Sequence, residues 1–189
     1  MKTVKLMLTI VAIAATSVLM AQQYTADLSK SQLKWNGKKV GGEHWGYITI
    51  KSGNLNVVDD KIKTGSFIID MGSIVCKDLE DPGYNKKLVD HLKSDDFFSV
   101  DTYPEAKLVI KESTKFTNGK AEVKGDLTIK GKTHPIEFTA SKDGMKYNAL
   151  ITVDRSKYDV RYGSKSFFDN LGDNFIHDEF TLDVTLVVK

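Results

Sequence analysis

From Gln22 onward, apolar side chains take every second position in segment after segment, and no other feature limits the fold as much. Near the C-terminus Phe180, Leu182, Val184, Leu186 and Val188 alternate with Thr181, Asp183 and Thr185. Successive side chains of a strand point to opposite faces, so each such run has one apolar and one wet face. The same alternation marks Leu33-Trp35-Gly37, Gly46-Ile48-Ile50, Phe67-Ile69-Met71 and Ala106-Leu108-Ile110. It continues through Ala121 to Ile129, Ile136-Phe138-Ala140 and Tyr147 to Val153. Many apolar faces in one chain must meet each other or close around something.

Turn chemistry separates the runs. Ser52-Gly53-Asn54, Asp59-Asp60, Asn118-Gly119, Lys130-Gly131 and Asp143-Gly144 are expected to be hairpin turns, because Asn, Asp and Gly tolerate positive φ. Short turns join antiparallel neighbours. The chain thus reads as about eight antiparallel strands, an all-β barrel or sandwich. One stretch departs from the rhythm: Tyr84, Leu88 and Leu92 recur at helical spacing behind Asp81-Pro82, predicting a short helix across an end or side of the sheet.

Residues 1–21 read as a secretory signal peptide, and 22–189 as a single domain. Lys2 and Lys5 precede an apolar stretch, Leu6 to Met20, and Ala21 offers a small residue for cleavage. The stretch is short for the ~20 residues of a membrane span. A periplasmic or secreted location follows. The chain has 27 Lys+Arg and 25 Asp+Glu; without Lys2 and Lys5 the two are equal, since no acid precedes Gln22. A neutral mature protein argues against nucleic acid as a partner. Cys76, the only cysteine, has no partner for an intramolecular disulfide and reads as a small buried apolar group.

Barrel and sandwich differ in what fills the interior. Gly37, Gly46, Ala106, Ala121, Gly125, Ala140 and Ala149 all fall on the inward parity. Small inward residues accommodate neighbours or a barrel's taper, or they leave a void. Eight strands is the size at which a barrel holds one small ligand, and an empty apolar void loses packing energy.

The chain resembles the YceI-like family. The pieces that carry the resemblance are Trp35-Asn36-Gly37, the run Gly41 to Gly46 (GGEHWG), Phe67 to Ile74 (FIIDMGSI) and Leu88 to Phe98 (LVDHLKSDDFF). Tyr103 to Ala106 (YPEA), Gly125 to Pro135 (GDLTIKGKTHP), Asp154-Arg155 with Tyr158, Arg161-Tyr162-Gly163 and Asp178-Glu179-Phe180 follow in order. Together they span almost all of the mature chain. The resemblance implies an antiparallel, eight-stranded, lipocalin-like β-barrel with one short helix. It also implies an exported, non-enzymatic protein that holds a long isoprenoid chain, polyprenyl or isoprenoid quinone, for sequestration or transport. No cofactor beyond a bound isoprenoid lipid is expected.

Such a chain needs an apolar tunnel. The expected lining is Trp35, Ile48, Ile50, Phe67, Ile69, Leu108, Leu127, Phe138, Ile151, Val153 and Leu182. A polar head would meet His44, Tyr47, Arg155, Tyr162 and Asp178 at the mouth. Arg155 shares the parity of Ile151 and Val153 and so points inward; a half-buried guanidinium calls for a lipid phosphate or carbonyl, or for Asp70 or Asp178 within the fold. His44, His91, His134 and His177 show no metal-ligand spacing. The implied partners are an isoprenoid lipid or quinone and, transiently, a membrane. Tyr47 and Leu150, expected on the outside, leave room for a homodimer. Two rival functions are an enzyme acting on the lipid head group and a ligand-free stress-protective barrel.

Overall fold

The computed structural model describes residues 21–189; the expected signal peptide lies, but for Ala21, outside them. Nine strands form one antiparallel sheet: β1 (Gln22–Thr25), β2 (Gln32–Lys39), β3 (Gly42–Val58), β4 (Lys61–Cys76), β5 (Glu105–Ser113), β6 (Lys120–Ile129), β7 (Lys132–Asp143), β8 (Lys146–Asp154) and β9 (Ile176–Val187). Each strand from β2 to β9 pairs with its neighbour in sequence, and β9 pairs back onto β2, so these eight strands close into an up-and-down barrel. Closure leaves the eight without a free edge. The short β1 adds to the extended end of β3, with Gln22 opposite Val57.

Four of the five expected turns form. Asp59 and Asp60 adopt φ of 51° and 54°, Asn118 and Gly119 51° and 74°, and Lys130 and Gly131 48° and 69°. Gly144 adopts 57°. These left-handed pairs match the strand twist at two-residue hairpins. The fifth is a correction. Ser52-Gly53-Asn54 lies inside β3, paired with Ile68, Phe67 and Ser66 of β4. A bulge between Ile50 and Ser52 moves the inward parity from Ile48 and Ile50 to Leu55 and Val57. Gly53 is small because a Cβ there would lie 2.3 Å from the Phe67 ring, not because a turn requires it.

The predicted helix α1 spans Pro82–Lys93. Asp81 caps it, its carboxylate accepting from the Tyr84 N–H at 2.9 Å, and Pro82 opens the first turn. Leu88 and Leu92 face the barrel interior, while Tyr84 is exposed. The helix therefore lies over one end of the barrel and packs against β4. Two buried clusters sit inside: one around Leu33, Ile48, Met71, Leu127 and Ile151 towards α1, the other around Leu55, Ile62, Val123, Tyr147 and Leu186.

The small inward residues have two different causes. A Cβ at Gly46 would lie 1.8 Å from the Val75 carbonyl oxygen, and one at Gly125 would lie 2.5 Å from that of Val109. Both glycines adjoin register shifts, where adjacent backbones press together. They create no space. Gly37 has nothing within 4 Å of a Cβ, and Ala106, Ala140 and Ala149 border a void. Ala121 is ordinary core.

Candidate ligand-binding cavity

A cavity of about 340 Å³ runs between the two clusters, within the range of roughly 300–1,000 Å³ typical of small-molecule sites. Its walls are overwhelmingly aliphatic and aromatic. Trp35, Ile48, Ile50, Phe67, Ile69, Leu108, Leu127, Phe138, Ile151 and Leu182 all line it, each on the inward face of its strand. Val153 does not: at 2% exposure it is packed into the cluster that contains Tyr158. Trp35 settles its polar atom by donating Nε1–H to the Val75 carbonyl at 3.1 Å.

Strand parity identifies further lining residues that the sequence-based set lacks. Leu33 shares a face with Trp35, Ile110 with Leu108, Ile136 with Phe138, and Val184 and Leu186 with Leu182. Leu55 and Ile62 lie beyond bulges, where simple alternation fails. Phe97 and Phe98 come from the irregular segment after α1 and carry no periodic signal.

The α1 end of the cavity is polar. His44, opposite Gly37 on β2, lines it. His44 Nδ1 lies 2.7 Å from Asp78 Oδ2. Asp78 Oδ1 accepts from the Trp45 N–H at 2.8 Å and the Cys76 thiol at 3.2 Å. Burial works to raise the Asp78 carboxyl, but hydrogen bonds from His44, Trp45 and Cys76 outweigh it and hold the group below the usual carboxylate range. The ionised carboxylate only accepts, so His44 Nδ1 carries the proton and its Nε2 is left for other contacts. Burial pushes the Cys76 thiol up, and its sulfur is bonded to Asp78 rather than to an imidazole, an arrangement unsuited to a nucleophile.

Arg155 follows β8 and opens a 3₁₀ turn, Arg155–Tyr158. It points inward as the parity requires and borders the cavity, yet it is only 2% exposed and four of its five N–H donors are committed to carbonyls. Nε donates to the His177 carbonyl at 3.1 Å, Nη1 to those of Val160 and Tyr162 at 2.8 and 2.9 Å, and Nη2 to that of Ile176 at 3.0 Å. Asp178 Oδ1 lies 3.4 Å from Nη2, a charge contact without hydrogen-bond alignment. Burial lowers the guanidinium's pKa, opposed by the charges of Asp178 and Asp154. Asp178, not Asp70, is thus the internal partner; Asp70 accepts from the Gly72 N–H.

The other expected mouth residues lie outside the cavity lining. Tyr47 is on the outer face of β3, packed edge-on against Trp45 at 6.0 Å, because it has the parity opposite to Gly46 and Ile48. Asp178 sits behind Arg155 and accepts from the Ser166 hydroxyl at 2.6 Å. Tyr162 is 48% exposed and supports His91 from outside, their ring centroids 4.4 Å apart. Leu150 is 65% exposed on the outer face.

His91 and His177, by contrast, do line the cavity, so three of the chain's four histidines share one site although they are scattered in sequence. His91 Nε2 is buried without a hydrogen-bond partner. Among the described residues no group of His, Cys, Asp and Glu is placed to hold a metal ion. At the opposite end Tyr147 borders the cavity; burial, followed by the charges of Tyr24 and Asp60, pushes its hydroxyl pKa up to about 12.

Fold and site together define a closed eight-stranded antiparallel barrel around a largely apolar cavity with a helix over one end. The chain belongs to the YceI-like domain family, whose pattern matches residues 24–188. A UPF0312 protein of Pseudomonas putida is 47% identical over 82 residues, 38% of this chain and 42% of that protein, so the match spans less than half of the relative's length. Among solved structures, Burkholderia cenocepacia BcnA is similar with a TM-score of 0.63 at 22% identity, over 87% of this chain and 99% of that one. A polyisoprenoid binding domain from Saccharophagus degradans is similar with a TM-score of 0.57 at 12% identity, over 88% and 97% of the two chains. At these identities the two structures speak to the fold.

Proposed function

We propose that this protein is an exported, non-catalytic lipid binder that holds a long isoprenoid chain, polyprenyl or isoprenoid quinone, in the barrel and sequesters or transports it. The observation that carries the proposal is the apolar cavity inside a closed barrel. Membership of the YceI-like family and the fold shared with a polyisoprenoid binding domain support the ligand class. Burial of apolar chain supplies about 0.8 kcal/mol per CH₂, so one five-carbon unit contributes roughly 4 kcal/mol before ordering costs. Binding of this kind needs no catalytic group and no cofactor. Loading and release call for transient contact with a membrane, and the apolar outer residue Leu150 is compatible with a homodimer.

The direct test is organic extraction of the purified protein followed by mass spectrometry, together with uptake of an added polyprenol and an added isoprenoid quinone. Release of a prenyl lipid, or saturable one-to-one uptake, is expected. A clean extract combined with no uptake of either compound would overturn the proposal.

A further inference from the structure

The charged and histidine side chains that border the cavity are Lys38, Lys39, Arg155, His44, His91 and His177; no Asp or Glu is among them. They are gathered at one end. Gly37 pairs with His44 across β2 and β3, and Lys39 pairs with Ile176, next to His177. The Arg155 guanidinium lies 5.3 Å from the Phe97 ring, against which His91 also packs at 5.7 Å.

The neighbouring carboxylates are already engaged. Asp78 holds His44 and the Trp45 N–H, and Asp178 holds Ser166 and faces Arg155. Glu43 is opposite Lys38 in the ladder but does not border the cavity. Arg155 is committed to four carbonyls. What remains uncommitted are the Lys38 and Lys39 ammonium groups, neither of which has an ion pair among the described residues, together with the buried, unpartnered His91 Nε2; His44, its Nδ1–H given to Asp78, presents only an acceptor at Nε2. The β2–β9 ladder shifts register between Gly37 and Lys39, Lys38 and Lys39 both border the cavity there, and the absence of a side chain at Gly37 leaves open space beside them.

We propose that this end of the cavity is an anion subsite, taking the negatively charged polar end of the bound lipid, a phosphate or carboxylate, on Lys38, Lys39 and His91. The proposal rests on the cavity holding a prenyl chain and adds the chemistry of its head group. Lysine cations and an imidazole N–H donor at the rim of an apolar cavity act through a lower dielectric than water, which strengthens charge-assisted hydrogen bonds. A neutral head would leave Lys39 without a counter-charge.

The test compares geranylgeranyl phosphate, geranylgeranoic acid and geranylgeraniol, equal in chain, by calorimetry at low ionic strength. One or both anions should bind at least about tenfold more tightly than the alcohol. That gap should fall below about threefold in Lys38→Gln/Lys39→Gln and in the same variant with His91→Gln added, with affinity for the alcohol unchanged. Lys38 and Lys39 are both exposed on the rim, so the variant replacing them is expected to fold even if the one that also replaces His91 does not. Which anion gains more separates phosphate from carboxylate as the natural head. Equal affinity of all three for the wild type, or a gap that survives Lys38→Gln/Lys39→Gln, overturns the anion subsite while leaving the prenyl chain in place. If none of the three binds, the prenyl proposal fails and the subsite fails with it.

Discussion

Replacing Arg155 separates a structural role from a ligand-contact role. Arg155→Met keeps the length of the aliphatic stem and removes the guanidinium. Four carbonyls, of Val160, Tyr162, Ile176 and His177, then lose a donor at 2.8–3.1 Å, and Asp178 Oδ1 loses its facing charge. Removing one partner of a buried charged pair costs about 3–5 kcal/mol, because the remaining groups stay desolvated. For a domain of this size each kcal/mol lowers the melting temperature by about 2–4 °C, so a fall of roughly 6–20 °C is expected. Arg155→Lys should recover little, since one ammonium cannot serve carbonyls arrayed around a planar fork. Arg155→Met/Asp178→Asn should recover part of the loss by removing the orphaned carboxylate. The assays are urea unfolding and thermal melting of the lipid-free protein, with prenyl uptake measured on any variant still folded. A melting temperature within about 2 °C of the wild type, or lost uptake at unchanged stability, would refute the structural assignment and return Arg155 to the mouth.

Three other outcomes follow from the geometry. Gly46→Ala forces a methyl to 1.8 Å from a backbone oxygen and should cost the upper end of the ~1–3 kcal/mol of overpacking or block folding, whereas Gly37→Ala, with open space around it, should change urea stability by less than about 0.5 kcal/mol. Ala149→Phe fills the cavity and should weaken prenyl uptake by about tenfold or more with the melting temperature nearly unchanged; a variant that unfolds but still binds when refolded would speak against a void at that position. The Asp78 carboxyl is held low in the folded protein, so its stabilising contribution is complete above the unfolded value near 3.9 and is lost as pH falls below that. Asp78→Asn should therefore flatten the fall in urea midpoint between about pH 5 and pH 2, and an unchanged acid slope would contradict the pairing.

Much of the fold can be read from local pattern because period-2 alternation and turn chemistry are properties of neighbouring residues. Asp59-Asp60 and Asn118-Gly119 form the turns their φ tolerance allows, Gly131 carries the turn in which Lys130 also takes a positive φ, and Asp81-Pro82 starts the helix. Parity alone also carries most of the cavity wall, since Trp35, Leu108, Phe138 and Leu182 each face inward on an unbroken stretch of strand. Alternation fails where the chain slips register. Ser52-Gly53-Asn54 looks like a turn, but its glycine answers to the Phe67 ring on the next strand. Gly46 and Gly125 look like space left for a ligand, but they answer to backbone oxygens of Val75 and Val109. Nothing beside these residues in sequence records the distance to another strand.

The polar end of the site depended still more on long-range geometry. Tyr47 and Tyr162 lie close in sequence to His44 and Arg155, yet neither borders the cavity. His91 and His177 come together with His44 only because α1 lies over the barrel end and β9 closes onto β2. By itself, then, the order of residues determined the eight barrel strands, four of the five turns, the helix and the inward faces of unbroken strands, since each depends on side chains a few positions apart. Closure, the origin of each small residue and the commitment of Arg155 to four carbonyls were decided only in three dimensions, where segments far apart in the chain come within hydrogen-bonding and van der Waals distance.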